Sequence, residues 1–197
     1  MVELRAYRQG DLDALYDICL RTGDSGQDAT PLHKHGQLIG HIYVAPYCVL
    51  EPSNVFVAED DEGIAGYVVG THDTDAFSAR LEREWWPALR ERYAQVPDAD
   101  LTPADRQRIE VIREPHVTPA DIVAQYPAHI HMNLLPRLRG QRIGTGLLQR
   151  WIDQARGAGV AGIHLGASPT NTGGIAFWSK SFTPLRTEGA VWFGMPL

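Results

Sequence analysis

The sequence is short of the features that usually assign a function quickly. It has only two cysteines, Cys19 and Cys48, in neither a Cys-x-x-Cys nor a His-rich spacing. Two isolated cysteines make neither a disulfide framework nor a zinc site, so both are expected to be buried thiols in a reducing compartment. No apolar run approaches the roughly 20 residues of a membrane span. The first residues, Met1-Val2-Glu3-Leu4-Arg5, lack the basic start and apolar stretch of a secretory leader. A cytoplasmic protein without membrane contact is therefore expected. Positive charge is also scarce: 18 Lys and Arg face 24 Asp and Glu, for a formal net charge of −6. Such a surface has no clustered positive field for nucleic acid or anionic lipid. No Gly-x-x-x-x-Gly-Lys-Ser/Thr string is present for a P-loop. No Gly-x-Gly-x-x-Gly follows the first strand as a dinucleotide fold would require.

What remains is an ordinary globular composition. The 197 residues are 44% hydrophobic and 21% charged, enough for one domain with its own core. Val2 to Tyr7 alternates as a short strand. Asp11 is placed to cap a helix running to about Arg21, with Leu12, Leu15, Ile18 and Cys19 on one face. Thr22 to His35 reads as a polar loop, and Gly36 to Val49 as a second helical segment. Asn54–Glu59 and Ile64–Thr71 form a hairpin around the Asp-rich turn Asp60-Asp61-Glu62-Gly63. Thr74 to Ala94 has helical periodicity, with Phe77, Leu81, Trp85 and Leu89 recurring every fourth residue. Thr102-Pro103-Ala104-Asp105 and Thr118-Pro119-Ala120-Asp121 are near-identical helix starts, with Thr as cap and Pro at the first helical position. Ala128 to Leu135 is the strongest strand, in which Ile130, Met132 and Leu134 alternate with His129, His131 and Asn133. A helix over Gly144–Ala158, a strand over Gly162–Ala167, a helix over Asn171–Phe182 and a final strand over Val191–Met195 complete an α/β layered architecture.

Chemistry is concentrated where the strongest strand turns into a helix: Leu134-Leu135-Pro136-Arg137-Leu138-Arg139-Gly140-Gln141-Arg142-Ile143-Gly144-Thr145-Gly146. Glycines there let the backbone approach a ligand, and the first turn of a helix presents free N–H groups and a positive dipole end to an anion. A phosphate-bearing ligand is one reading. A plain helix start with glycines for close packing is the other.

The wider context resembles one family. Pro136-x-x-Arg139-Gly140-x-x-Ile143-Gly144-Thr145 is similar to motif A of the GNAT superfamily, the acetyl-CoA pyrophosphate loop written Arg/Gln-x-x-Gly-x-Gly/Ala. Asn171 to Phe182 resembles the C-terminal signature Asn-x-x-Ala-x-x-Phe-Tyr-x-Lys-x-Gly-Phe. The resemblance implies a GNAT (acyl-CoA N-acyltransferase) fold in a single domain over 1–197. Its sheet would be mixed, mostly antiparallel and twisted, flanked by helices, with a helical insertion at about 73–127 between the third and fourth strands. It implies acetyl transfer from acetyl-CoA to a small amine, a protein lysine or an N-terminus, by direct attack in a ternary complex. The backbone of Leu134 and Leu135 would pair with the pantetheine arm at a splay between the fourth and fifth strands. Arg139, Gly140, Gln141, Arg142, Ile143, Gly144, Thr145 and Gly146 would hold the pyrophosphate, and Asn171 the pantetheine end.

Three positions depart from the family pattern. Arg142 stands where the first Gly of Gly-x-Gly falls in the Arg139 frame, although Gln141-x-x-Gly144-x-Gly146 offers a second frame. Trp178 stands at the position of the Tyr that protonates the departing thiolate, and an indole N–H is too weak an acid for that task. Ala128 falls where histone-type members carry a Glu base, with His129 and His131 on the opposite face as alternative catalytic candidates. No third ligand accompanies this His-x-His, so no metal is expected. Gly40-His41-Ile42-Tyr43-Val44-Ala45-Pro46-Tyr47 resembles a branch that joins bacterial acetyltransferase-like proteins to the C-terminal acetyltransferase-like domain of eukaryotic O-GlcNAc hydrolases. In the animal enzymes that domain is regarded as a pseudo-acetyltransferase, so the branch also allows an acetyl-CoA-binding domain with a regulatory role. The acceptor site is expected from the segment Gly23 to Tyr47 and the turn after the third strand, where Asp24, Asp28, Asp73 and Asp75 would make it acidic for a cationic amine and Tyr43 and Tyr47 would contact the substrate. The chain is expected as a monomer or a homodimer.

Overall fold

The computed structural model describes all residues, Met1–Leu197. In chain order it contains β1 (Glu3–Ala6), α1 (Leu12–Leu20), α2 (Gln37–Tyr43), α3 (Ala45–Leu50), β2 (Phe56–Asp60) and β3 (Gly63–Thr71). Four helices follow: α4 (Thr74–Glu84), α5 (Trp86–Ala94), α6 (Pro103–Arg113) and α7 (Ala120–Gln125). The chain then continues through β4 (Ala128–Leu134), α8 (Ile143–Gly157), β5 (Gly162–Ala167), α9 (Thr172–Trp178), β6 (Thr183–Glu188) and β7 (Ala190–Pro196). All seven strands join one sheet in the order β1-β2-β3-β4-β5-β7-β6. Every neighbouring pair is antiparallel except β4 and β5.

The alternation of β4 sorts its side chains between two layers. Ile130, Met132 and Leu134 face α8: the α-carbons of Gly70 and Gly144 lie against the Ile130 and Leu134 side chains and Trp151. His129 and Asn133 face the other way, where they bond Tyr47 of α3 and Thr22 in the turn after α1. Trp151 on α8 is fully buried and donates its indole N–H to the Asn54 carbonyl at 3.0 Å. The main core runs through both layers. A smaller apolar cluster, with Leu38 and Ile42 of α2 against Trp86, Leu89, Tyr93, Ile109 and Ile112, fastens the inserted helices to α2. The insertion thus thickens the N-terminal helical layer and leaves the sheet's other face to α8.

Four local expectations need correction. The helix foreseen over Thr74–Ala94 breaks at Trp85, because Pro87 cannot donate to the preceding turn and its ring crowds it. The Thr102 start is a capping box as expected, but α7 begins one residue late, with Pro119 at the cap and no side-chain cap. Asp11 does not cap α1. Its carboxylate is buried with Arg5, at 2.6 and 2.9 Å, and accepts from the Arg8 N–H. The last helix stops at Trp178, and Thr183–Glu188 forms an edge strand whose residues are all exposed. No alternation marks such a strand.

Gly70 tests the packing between β3, β4 and α8. A β-carbon there would overlap the His129 carbonyl oxygen and lie 2.8 Å from both Trp151 and Ile130. Gly70→Ala is expected to cost about 2–3 kcal/mol, since backbone cannot yield as a flexible side chain can. Thermal denaturation should show the melting temperature falling by roughly 5–10 °C. An unchanged melting point would show that the strand and Trp151 shift apart freely.

Candidate functional site

Strands β4 and β5 are paired only at Ala128 with Ile163 and His129 with His164. Beyond these residues they diverge. Backbone groups on the β5 side of Met132 and Leu134 then face a gap instead of a strand. A cleft of about 140 Å³ occupies the gap, walled by His131, Met132 and Asn133 on one side and Gly166, Asn171 and Trp178 on the other. Leu135 lies beneath it but is not available to a ligand. Its N–H bonds to the Ala65 carbonyl at 2.8 Å and its own carbonyl accepts from Leu138, so the expected pairing of Leu135 with an extended arm is not open. The Leu134 carbonyl accepts from Arg139 Nε at 3.0 Å.

The loop after β4 ends at the mouth of this cleft. Gly140 has φ +77° and Arg142 φ +62°, so the chain passes twice through left-handed backbone before α8 begins. Glycine adopts this freely, whereas Arg142 does so at a cost of about 1 kcal/mol. The tight turn has one clear result: no backbone N–H from Gly140 to Thr145 has an acceptor within the chain. These groups point out of the first turn of a 15-residue helix, the geometry that receives an anion. The Arg142 side chain beside them is exposed and makes no ion pair. Gln141 is tied back to the Arg137 carbonyl. Ile143, half-buried, anchors the turn to the core.

The other two glycines serve packing. Gly146 already donates to the Arg142 carbonyl, and a β-carbon there would sit 2.7 Å from Leu4. Gly144 is buried, with its β-carbon position 3.0 Å from Leu134. Close packing therefore accounts for Gly144 and Gly146.

A strap from the Gly23–Tyr47 segment crosses the mouth. Ser25 and Gly26 both have positive φ. Arg139 Nη2 donates to the Gly26 carbonyl at 2.7 Å, and the Ser25 hydroxyl bonds the Thr170 hydroxyl at 2.7 Å. The only local signal was a polar loop with two glycines. Asn171 caps α9 by accepting from the Gly174 N–H at 2.9 Å, and it also lines the cleft. Trp178 is buried edge-on between Phe177 and Phe182.

The histidines of β4 divide by their partners. His129 has both ring nitrogens engaged, with the Tyr47 hydroxyl at 2.6 Å and the Thr74 hydroxyl at 2.8 Å. Burial, and then the neighbouring imidazoles, hold its pKa well below the ordinary value. This is a structural histidine. His131 has no hydrogen-bond partner and its ring lines the cleft, 5.5 Å from the Tyr43 ring and 5.6 Å from the Tyr47 ring. Burial, reinforced by His164, lowers its pKa to about 4. Ala128 is fully buried on the α8 face, so it is His131 and not Ala128 that faces the N-terminal helices.

The acidic wall is not assembled. Thr71 pairs with His129, at the end of β4 remote from Leu134, so Asp73 and Asp75 lie at the far end of the strands. There Asp73 caps α4 through the Ala76 N–H, and Asp75 is exposed in its first turn. Asp73 borders a larger, shallow groove with Glu51, His72 and Gln154, away from the loop. Asp28 is exposed and accepts from the Thr30 N–H, which holds its carboxyl below the usual range. Tyr43 and Tyr47 do reach the His131 side of the cleft.

The chain matches the Acetyltransferase (GNAT) family over residues 14–182 and belongs to that family. Protein O-GlcNAcase of Rattus norvegicus is 26% identical over 189 residues, which cover 94% of this chain but only 20% of that protein. The chain therefore spans about a fifth of the length of that relative. The crystal structure of SsHAT superposes with a TM-score of 0.90 at 33% identity, covering 99% of this chain and 98% of the other. PaiA N-acetyltransferase from Thermoplasma acidophilum, solved in complex with coenzyme A, shares the fold at 13% identity and a TM-score of 0.61, over 100% and 99% of the two chains. No helix is long and apolar enough to cross a membrane. Both cysteines are free and buried.

The buried imidazoles make stability depend on pH. His41, His129, His131 and His164 all have pKa values lowered first by burial, to about 4 for His41 and His131. At pH 7 these groups are neutral in both folded and unfolded chains. As the pH falls below about 6.5, the unfolded chain takes up protons that the folded chain refuses until about pH 4. Stability is therefore lost on acidification across that window, by roughly 2 kcal/mol at pH 5 for each fully neutral histidine. Urea unfolding at pH 7 and pH 5 should give a clearly lower midpoint at pH 5. An equal midpoint would mean that the rings are solvated.

Proposed function

We propose that this chain is an N-acetyltransferase that uses acetyl-CoA. The observation that carries this reading is the run of unpaired N–H groups from Gly140 to Thr145 at the start of α8, packed through Gly144 beside the end of β4 where it has parted from β5. In this reading those groups and the Arg142 guanidinium hold the pyrophosphate, with the Thr145 hydroxyl beside them. Asn171 and the backbone edge of Met132 and Leu134 that faces the gap hold the pantetheine arm in the cleft. Acetyl-CoA supplies the activated acetyl carbon. Backbone donors along the gap polarise its carbonyl, as fixed dipoles do best where water is excluded.

The residues around the gap position the reactants more than they move protons. His131 is neutral at pH 7, but an imidazole with a pKa near 4 is a poor base for an ammonium. The amine must then reach the site already deprotonated, or lose its proton through His131 to water. Trp178 can donate a hydrogen bond at the thiol end but cannot supply a proton. Catalysis would rest on orientation and on the dipoles.

Trp178 also supports the second reading, a domain that binds acetyl-CoA for a regulatory purpose without transfer. Calorimetric titration with acetyl-CoA and with CoA separates these from other functions: both should bind, and no heat from either at millimolar concentration would sink both readings. Arg142→Ala should weaken acetyl-CoA roughly 10-fold, the value of a charge-assisted contact. Release of the CoA thiol with an amine panel distinguishes transfer from binding alone. For transfer, kcat/KM should rise with pH following the amine's own deprotonation, with no break near 6.5. Trp178→Tyr should increase thiol release if only the acid is missing.

A further inference from the structure

The insertion brings a cation to the acceptor wall. Of its arginines, Arg80, Arg83, Arg90, Arg106 and Arg113 pair with neighbouring carboxylates, and Arg92 is exposed. Arg108 on α6 differs. It is turned inward onto Tyr43, is only partly accessible, and meets no carboxylate. Its Nη1 donates to the Tyr43 hydroxyl at 3.3 Å, and its Nε is buried without any partner. The Tyr43 ring lies 5.8 Å from the Arg108 guanidinium carbon and 5.5 Å from the ring of His131, which lines the cleft. Tyr67, opposite Asn133 in the register and so on the same face, adds a buried hydroxyl that faces only the Cys19 thiol, a weak acceptor.

A guanidinium N–H withdrawn from water without a partner is unfavourable, and such buried groups are found hydrogen-bonded. Its planar fork matches a carboxylate, which it binds through two parallel hydrogen bonds. Here no residue of the chain supplies that carboxylate, and the fork lies one aromatic ring away from the cleft.

We propose that Arg108 receives a carboxylate carried by the acceptor, so that the substrate is an amino-carboxylate and not a simple cationic amine. This rests on the acetyl-transfer reading above. The amine reaches the gap at His131 while the carboxylate docks on Arg108 beside the Tyr43 hydroxyl. The width of the Tyr43 ring between the two ends favours amine and carboxylate separated by several bonds.

The test pairs ω-amino acids of increasing length with the alkylamines of the same length. The N-acetylated acids and their amides are titrated into the free and the CoA-loaded protein, a measurement that needs no turnover. The acids should bind about 10- to 100-fold more tightly than the amides, the range of one charged hydrogen-bonded pair. Arg108→Gln should remove that preference, Arg108→Lys should retain part of it, and neither should change acetyl-CoA affinity or the melting temperature appreciably. Equal binding of acid and amide, binding of neither, or a preference that survives Arg108→Gln overturns the assignment. The two proposals fail separately. Thiol release as fast with alkylamines as with ω-amino acids removes the role of Arg108 and leaves transfer standing. An intact acid preference with no thiol release from any amine upholds the anion site and removes transfer.

Discussion

Strands β4 and β5 share two residue pairs and then separate, and the rest of the site depends on that separation. A paired strand satisfies its own backbone, whereas a splayed one leaves N–H and C=O groups facing a gap. The chain leaves β4 through Leu135, which stays locked to β3 and to the turn below it. The loop then rises through two left-handed residues and delivers the start of α8 to the rim of the gap. Opposite, α9 places Asn171 and Trp178 on the second wall. One break in a sheet therefore brings together an unpaired strand edge, a helix dipole and a flat aromatic side chain.

The N-terminal layer over the cleft is held by polar ties. Asp105, fully buried, accepts from Thr102, from the Lys34 backbone and from the His33 ring. Burial alone would raise its pKa, but these donors hold it below the ordinary carboxylate range. The loop that reaches the strap is thus clamped to the insertion, and the insertion is clamped through its own apolar cluster to α2. The consequence is electrostatic. The wall nearest the cleft holds neutral imidazoles, tyrosines and one arginine, while Asp73 caps α4, Asp75 lies in its first turn and Asp28 is exposed beside the Thr30 N–H. A net charge of −6 says little about the sign of a single wall.

Much of this was legible in the sequence, because it depends on local rules. The 3.6-residue and 2-residue periods placed the main helices and most strands, and the glycines around Arg139–Gly146 marked a strand-to-helix turn whose neighbours resembled one family. The order of motifs then carried the fold. Locally encoded features failed where a competing contact won. Asp11 had the form of a cap and became the partner of Arg5, and an exposed edge strand at Thr183–Glu188 had no alternation to read.

The tertiary structure alone decided which of those residues face one another. Periodicity states that His129 and His131 share a face, but not that Tyr47 and Thr74 consume the first and leave the second free. Composition counts the acidic residues without showing that β-sheet register carries Asp73 and Asp75 to the far end of the strands. Nothing near Arg108 in sequence distinguishes it from the other arginines of its helices. Its partner, Tyr43, lies 65 positions away, and the cost of its partnerless Nε exists only once folding has removed the water from that atom.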